Sequence, residues 1–303
     1  MKQTLVIGSA VVDIMINLPR LPVRGEDINI GPPQYSIGGC AYIVFKTLKF
    51  LRSPAFLCSP VGSGYYGHIV RENLEAQGIT PLVNLEKENG CCYCLVEEDG
   101  ERSFLSCHGA EYLFYRSWLK DFDFSQSDSA FICGLEVEEE TGTEIVDFVY
   151  EHTELELFFS PGPRIRYIDP ERMEKLLARR DNKGKGPFLH LNETEACSFS
   201  EKPNIQAAAE FLSAKTNNAL VITLGEKGCF YFDPQNANHG FIPGFPTFVR
   251  DTTGAGDAHC GAVIAGLKQG KALAETCEIA NRLGAAVVSI QGADLDKLSG
   301  IFS

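Results

Sequence analysis

The sequence predicts an α/β fold with three layers, in which helices cover both faces of a mainly parallel central sheet and a small β-sheet forms a lid. Runs of β-branched and aromatic residues alternate with helix-like segments along most of the chain, which is typical of βαβ units. No repeat or linker interrupts the 303 residues, so we expect one domain over residues 1–303. Two regions depart from the alternation and predict the small sheet.

The central sheet is predicted from six apolar runs, which are TLVIG, AFLCSPV, AFICG, LELFFS, PFLHL and ALVITLG in chain order. Between them lie four helix-like segments, YGHIVRENLEAQG, TEIVDFVYEH, DPERMEKLLARR and NIQAAAEFLSAK. In the third of these, Asp169 is suited to capping the helix and Pro170 to its first turn.

The lid is predicted from about residues 12–37 and 90–110. Gly25–Gly39 reads as an extended segment with no helix after it. CCYCLVEEDGERSFLSCHGA reads as a hairpin around an Asp99-Gly100 turn. We interpret these segments as a small sheet over a ligand site. A surface hairpin without a role in binding is the alternative.

Composition excludes several classes of function. The formal net charge of −13 argues against a protein that wraps a nucleic-acid backbone. The N-terminal apolar run is broken by Gly8 and Asp13, too early for a signal peptide or membrane span. Eleven cysteines without such a signal indicate a reducing, cytoplasmic location. Cys91 and Cys94 would face opposite sides of a strand, which argues against a metal site built on that pair.

Two glycine-rich loops compete for the role of phosphate-binding site. GSGYYG, from Gly62 to Gly67, matches the dinucleotide fingerprint G-x-G-x-x-G. That fingerprint should follow the first strand of its unit, whereas TLVIG precedes this loop without one. Two tyrosines would also crowd a pyrophosphate. We therefore interpret the first loop as a strand-to-helix turn.

The second loop, TTGAGDAHCG from Thr252 to Gly261, leads into an apolar helix. Gly254 and Gly256 allow a sharp turn, and the first free N–H groups of the helix would form an anion site. Asp257 lies in the first turn, where the helix dipole favours its ionised form. A carboxylate beside an anion site is suited to phosphoryl transfer. The alternative is a turn whose aspartate only favours the dipole.

DTTGAGDAHCGAVIAGL closely resembles the C-terminal signature of the PfkB, or ribokinase-like, family of sugar kinases. Five further stretches resemble family motifs in the family's order, which are GSAVVDIMINLPRLPVRGEDI, SIGGCA, LNETEA, VITLGEKGCFYF and ANRLGAAVVSIQGA. The resemblance implies a ribokinase-like fold and an ATP- and Mg²⁺-dependent kinase acting on a hydroxyl group of a sugar or nucleoside. GGCA, DGERSF and GPRI look most like a poorly characterised bacterial branch.

The resemblance also implies a role for each matching position. Asp257 is the general base, and the anion hole is formed by Gly254, Ala255 and Gly256. Substrate binding is implied for Asp13, Gly38, Gly39 and Glu136. Nucleotide binding is implied for Asn192, Thr223, Gly225, Gly228 and Asn281. Glu195 is implied to organise water around Mg²⁺ together with Asn192. The alternative for this pair is that Asn192 caps a helix. Asp251, Thr253 and the carbonyl near Gly292 resemble the loop that binds a monovalent cation such as K⁺ in some members.

Departures from the family pattern concern the substrate. Ile43 occupies the position of an asparagine that binds the sugar, and His259 follows the catalytic aspartate, where it either faces the substrate or packs. A sugar-phosphate kinase would use Arg102, Arg164 or Arg166, and a non-catalytic sensor is a further alternative.

The outer face of the lid, expected to carry Cys92, Cys94, Phe104 and Leu105, is suited to pairing with a second copy as a homodimer.

Overall fold

The protein is described by a computed structural model over residues 1–98, 102–235 and 238–298. The predicted Asp99-Gly100 turn lies outside the described residues. Along the described chain, no helix is long and apolar enough to cross a membrane.

The strands, in chain order, are β1 Gln3–Ile7, β2 Val11–Leu18, β3 Gln34–Gly38, β4 Ala55–Cys58, β5 Pro60–Ser63, β6 Val83–Glu88, β7 Cys91–Glu97, β8 Arg102–Cys107, β9 Ser127–Cys133, β10 Glu156–Ser160, β11 Phe188–Asn192, β12 Leu220–Thr223, β13 Gly228–Asp233 and β14 Asn238–Pro243. The helices are α1 Cys40–Phe50, α2 Gly64–Ala76, α3 Gly134–Glu138, α4 Gly142–Glu151, α5 Pro170–Ala178, α6 Glu193–Ser200, α7 Ile205–Thr216, α8 Ala255–Lys268 and α9 Leu273–Val288.

The central sheet has eight strands in the order β14-β13-β12-β11-β10-β9-β1-β4. The six strands from β12 to β4 are parallel, and β13 and β14 close one side as antiparallel strands. This confirms the predicted mainly parallel sheet. The apolar run AFLCSPV is split, however, because β4 joins the central sheet and β5 pairs with β6 in a separate two-stranded sheet.

Helices pack on both faces of the central sheet, because successive strand residues point to opposite sides. Val6 and Phe131 lie in the core shared with α1, α8 and α9. Leu5 and Ile132 lie in the core shared with α4, α5 and α7. The parallel strands end at one common edge, and the loops after β1, β9, β11 and β12 meet there.

A second, four-stranded sheet of order β3-β2-β7-β8 is built from the two segments predicted to form a lid. We call it the small sheet. Its register corrects the predicted outer face: Cys92 and Cys94 share a face with Asp13 and Phe104, whereas Leu105 lies on the opposite face beside Tyr93.

The expectation that no helix follows Gly25–Gly39 is wrong, because α1 begins at Cys40. Seven of its residues are buried, and they include Tyr42, Ile43 and Val44 in succession. Its polar residues form only a narrow stripe with Lys46 and Lys49, so the segment shows little of the contrast between apolar and polar faces by which a helix is recognised. Asp169 accepts hydrogen bonds from two N–H groups of α5, as predicted.

Candidate active site

The glycine turn before α8 lies beneath the small sheet, at the common edge of the parallel strands. Gly254 caps α8 with a positive φ of 70°, which glycine adopts without strain. A Cβ at this position would lie 2.6 Å from both the Ile43 Cδ1 and Ala293 Cβ atoms. Ile43 is 3% exposed and supports the turn from below. The chain therefore uses the unusual isoleucine as a packing residue of the turn.

Asp257 occupies the first turn of α8, half-buried, next to N–H groups that have no acceptor within the helix. Among the described residues, Ala255 N–H contacts the Thr252 carbonyl at 3.3 Å, and no such partner occurs for the N–H groups of Gly256 and Asp257. Desolvation raises the pKa of Asp257 to about 6, against a smaller lowering by a hydrogen bond with Cys40. At pH 7 and above this carboxylate is ionised and able to accept a proton.

Asp13 points from β2 toward the same loop and is only 7% exposed. Burial, and then the nearby Cys92, Asp257 and Asp251, raise its pKa to about 8. The double glycine fits against it, because a Cβ at Gly38 would lie 1.9 Å from Asp13 Oδ2. A Cβ at the neighbouring Gly39 would lie 2.5 Å from the Ser9 carbonyl oxygen.

Glu136, in the short helix α3 that follows β9, is 1% exposed. Its Oε1 accepts the Ser9 N–H at 2.9 Å, and its Oε2 has no hydrogen-bond partner among the described residues. Desolvation raises the pKa of Glu136 to about 7. Glu136 thus approaches the segment between β1 and β2 that leads to Asp13.

Four of the five residues that the resemblance assigned to the nucleotide line one cavity of about 730 Å³, and Asn192 is not among its lining residues. Thr223, Gly225, Gly228 and Asn281 form one side of it, and Ala255 and Gly256 form the end nearest Asp257. The predicted anion site therefore lies at the end of this cavity that Ala255 and Gly256 line.

A chain of buried hydrogen bonds runs along the cavity wall, which His259 and Asn281 line. His190 Nε2 lies 2.9 Å from His259 Nδ1, and His259 Nε2 lies 3.0 Å from Asn281 Oδ1. The Asn281 amide nitrogen donates to the carbonyls of Ile242 and Pro243 at 3.0 and 3.1 Å. Both ring nitrogens of His259 therefore bond to residues around the cavity and not to Asp13. The side-chain amide of Asn281 is likewise used in bonds within the protein. His190 gave no signal in the sequence, because it lies inside an ordinary buried strand.

Asn192 and Glu195 form a capping box at the start of α6. Asn192 Oδ1 accepts the Glu195 N–H at 2.8 Å, and both Glu195 oxygens accept N–H groups of Asn192. The predicted alternative of helix capping is therefore correct. Burial raises the pKa of Glu195, with a further contribution from the charge of Asp257. A carboxylate retains acceptor positions beyond these two bonds, so the pair still fits a water-mediated Mg²⁺ site.

Asp251 and Thr253 are assigned by resemblance to a monovalent-cation loop. The protein itself satisfies the Asp251 carboxylate, whereas the buried Thr253 Oγ1 has no hydrogen-bond partner among the described residues. Asp251 Oδ1 accepts the Thr253 N–H and Oδ2 accepts the Gly292 N–H, each at 2.8 Å. Arg102, from β8 of the small sheet, places its Nη2 atom 3.2 Å from Asp251 Oδ1 and also contacts Thr252. Both side chains of this ion pair are buried, at 9% and 1% exposure. These residues do not fit a cation bound through the Asp251 side chain.

The loop from Gly62 to Gly67 joins β5 to α2, as the interpretation as a turn requires. Its backbone groups are used internally, because Gly62 N–H donates to the Asn89 side chain and the Gly62 carbonyl accepts from Arg71 at 2.9 Å. A phosphate would have to displace these bonds.

Comparison with known proteins agrees with this geometry. The family model described as pfkB family carbohydrate kinase matches residues 1–298. A protein of Escherichia coli (strain K12) named "Uncharacterized sugar kinase YegV" is 33% identical over 298 residues, which cover 97% of this chain and 90% of that protein.

Two solved structures share the fold. Ribokinase from Giardia lamblia superposes with a TM-score of 0.82 at 20% identity, covering 97% of this chain and 95% of that one. A putative ribokinase II from E. coli, solved in complex with ATP and Mg²⁺, gives 0.77 at 20% identity, covering 97% and 94%.

Proposed function

The chain belongs to the pfkB family of carbohydrate kinases, and from that premise we propose that it transfers a phosphoryl group from ATP to a hydroxyl group of a sugar or nucleoside. The observation that carries this proposal is the start of α8. There, Asp257 and the unpartnered N–H group of Gly256 lie between the 730 Å³ cavity and Asp13. The direct test is release of ADP on mixing the protein with ATP, Mg²⁺ and a panel of sugars, nucleosides and sugar phosphates.

In this proposal Asp257 accepts the proton of the attacking hydroxyl group. The N–H groups of the Gly254, Ala255 and Gly256 turn stabilise charge on the transferred phosphoryl group, since they are fixed before the reaction begins. Asp13 orients the substrate by accepting hydroxyl hydrogen bonds, and Gly38 and Gly39 leave the space next to it. Glu136 supports this site by accepting the Ser9 N–H in the segment that leads to Asp13, and the small sheet covers the site as a lid.

ATP and Mg²⁺ are proposed from the residues around the cavity and from the related fold that was solved with both. Thr223, Gly225 and Gly228 line the cavity proposed for the nucleotide. Asn281, which is held by its bond to the Ile242 carbonyl, lines the same cavity. Asn192 and Glu195 would hold the waters of the ion. When bound, Mg²⁺ neutralises phosphate charge. An ATP-using enzyme with free thiols suits the reducing cytoplasm.

The rate of phosphoryl transfer should fall at low pH, because Asp257 must be ionised to accept a proton. With a pKa near 6, its ionised fraction is nearly complete at pH 8 and falls about tenfold for each pH unit below 6. We expect kcat measured from pH 5 to 9 to follow this curve. A flat profile down to pH 5 would contradict the assignment of Asp257 as the base.

Gly38→Ala should disturb Asp13 without unfolding the protein. The added Cβ would lie 1.9 Å from Asp13 Oδ2, far below the contacts that Cβ atoms make, so the carboxylate must move. A displacement of roughly 1 Å can lower turnover about 10²-fold, and we expect kcat/KM for the sugar to fall by that order. Gly31→Ala is the control, because no atom lies within 4 Å of its added Cβ. Equal kcat/KM values for the two variants would argue against Asp13 as a sugar ligand.

We propose that Arg102 supplies the positive charge that the resemblance assigned to K⁺. It already pairs with Asp251 in a buried position, so initial rates should be equal in K⁺ and Na⁺ salts. Arg102→Met keeps an apolar stem but removes the charge. This variant should be less active, and K⁺ should restore part of the loss. Strong activation of the unchanged protein by K⁺ would contradict the proposal.

Two alternatives from the sequence are less well supported. A sugar-phosphate kinase needs a free arginine near the substrate, yet Arg102 pairs with Asp251 and Arg164 donates to Glu138 at 2.6 Å. Arg166 lines a different cavity, beside Pro170 and Met173. A non-catalytic sensor was suggested by Ile43, which has a packing role in the turn.

Pairing of two copies through the small sheet stays a prediction. The face available for it carries the exposed Tyr35, Tyr93 and Leu105.

A further inference from the structure

Two thiols lie beside Asp13 on the inner face of the small sheet. The register of β2 and β7 pairs Asp13 with Cys92 and Met15 with Cys94. Because strand residues two apart share a face, Cys92 and Cys94 point to the same side as Asp13. The C-x-x-C spacing points to Cys91 and Cys94, which lie on opposite faces of the strand, whereas Cys92 and Cys94 share a face.

The three side chains have the spacing of a metal site. The Sγ atoms of Cys92 and Cys94 are 3.9 Å apart. All three ligand atoms, including a carboxylate oxygen of Asp13, lie within 4.8 Å of one another. Two thiolates bound to one tetrahedral zinc ion, each about 2.3 Å from the metal, are about 3.8 Å apart. The thiols therefore need almost no rearrangement to share an ion.

The surroundings of the cluster favour a cation. Asp13 is 7% exposed and Cys94 is 1% exposed, and no described basic side chain forms an ion pair with Asp13. The charges of Asp251 and Asp257 add negative potential at this point. Arg102 offsets part of the Asp251 charge, because it pairs with Asp251 and contacts Thr252, but it forms no ion pair with Asp13. A buried carboxylate that has neither a counter-ion nor a hydrogen-bond partner among the described residues can be compensated by a metal ion.

We propose that Asp13, Cys92 and Cys94 form a binding site for a thiophilic divalent cation, for which Zn²⁺ is the matching ion. Two sulfurs and one oxygen leave one coordination position for water. Binding requires that the thiols lose their protons. An ion held there occupies the Asp13 carboxylate, so it excludes the sugar. This last consequence rests on the proposed function, in which Asp13 is the sugar ligand.

The binding test uses Co²⁺ as a spectroscopic substitute for Zn²⁺, added to the reduced, nucleotide-free full-length protein. We expect one ion per chain, a thiolate-to-cobalt charge-transfer absorption band, and displacement of Co²⁺ by Zn²⁺. Cys92→Ser and Cys94→Ser should each weaken binding by roughly 10- to 100-fold or more and reduce the band. Cys107→Ser is the matched control, because its exposed thiol lies on β8 outside the cluster and should leave binding unchanged.

Absence of the band in the unchanged protein, or a band that survives both substitutions in the cluster, would overturn the proposed site. Cys92, which is partly exposed, is the safer variant if replacing the buried Cys94 impairs folding. In steady-state assays, Zn²⁺ should raise KM for the acceptor sugar without changing kcat, and Cys92→Ser should abolish this rise in KM. Inhibition that sugar does not relieve would overturn the exclusion. A protein that binds Co²⁺ through these thiols but phosphorylates nothing would support the site and count against the kinase proposal alone.

Discussion

Asp257→Asn is expected to lower kcat by about 10²–10⁴-fold, the range associated with loss of a general base. The amide has the shape of the carboxylate but cannot accept the proton of the attacking hydroxyl group. The turn from Gly254 to Gly256 is unchanged, so ATP should bind with nearly its original affinity. The expected signature is therefore loss of chemistry with retention of nucleotide binding.

The measurement combines ADP release under saturating substrates with calorimetric titration of ATP in the presence of Mg²⁺. Asp169→Asn is the matched control. It replaces another aspartate at a helix start, and asparagine caps helices as well as aspartate does. A kcat for Asp257→Asn equal to that of Asp169→Asn would exclude Asp257 as the base. Loss of ATP binding would instead show that the substitution damages the glycine turn.

Asp13→Asn should have two effects of opposite sign. At pH 9, where Asp13 is ionised in the folded protein, loss of charged hydrogen bonds to the sugar, worth about 1.5–3 kcal/mol, should raise KM about ten- to a hundredfold. The folded protein should nevertheless become more stable at neutral pH. In the folded state Asp13 keeps its proton up to about pH 8, whereas the unfolded chain releases it near the ordinary value of 3.8. Between these values the unfolded state binds fewer protons, so this group lowers stability as pH rises.

Thermal unfolding of both proteins from pH 4 to pH 9 tests the second effect. The two melting temperatures should converge near pH 4 and separate as pH rises toward 8, with Asp13→Asn the more stable by at least about 1 kcal/mol, or roughly 2 °C. Asp27→Asn, at an exposed position, should show no such separation. A lower stability of Asp13→Asn at pH 8 would mean that the carboxylate has a compensating partner.

The sequence allowed prediction of the features that depend on local order. The glycine turn, Asp257 and the capping box at Asn192 each lie within a few residues, so their spacing reveals their geometry. The Arg102–Asp251 ion pair joins residues 149 positions apart, and no pattern in either segment indicates the other. The cluster of Asp13 with Cys92 and Cys94 likewise depends on the register between two strands.

Helix α1 was missed for a different reason. Its burial on several sides removes the contrast between apolar and polar faces from which a helix is recognised. Ile43 departs from the family pattern, and from the sequence alone it predicts a change in the contact with the substrate. Its observed role depends on Gly254, more than 200 residues away, which only the folded chain brings to it.

Under the proposed function, the Arg102–Asp251 ion pair is expected to tie the affinities for sugar and ATP together. One partner belongs to the sheet above the sugar and the other to the loop at the end of the nucleotide cavity, and both side chains are nearly inaccessible to water. Raising the sheet would leave Asp251 buried without its counter-charge, which is costly. A sugar that favours the lowered sheet therefore also favours the arranged loop. By thermodynamic reciprocity, the factor by which sugar tightens ATP binding must equal the factor by which ATP tightens sugar binding.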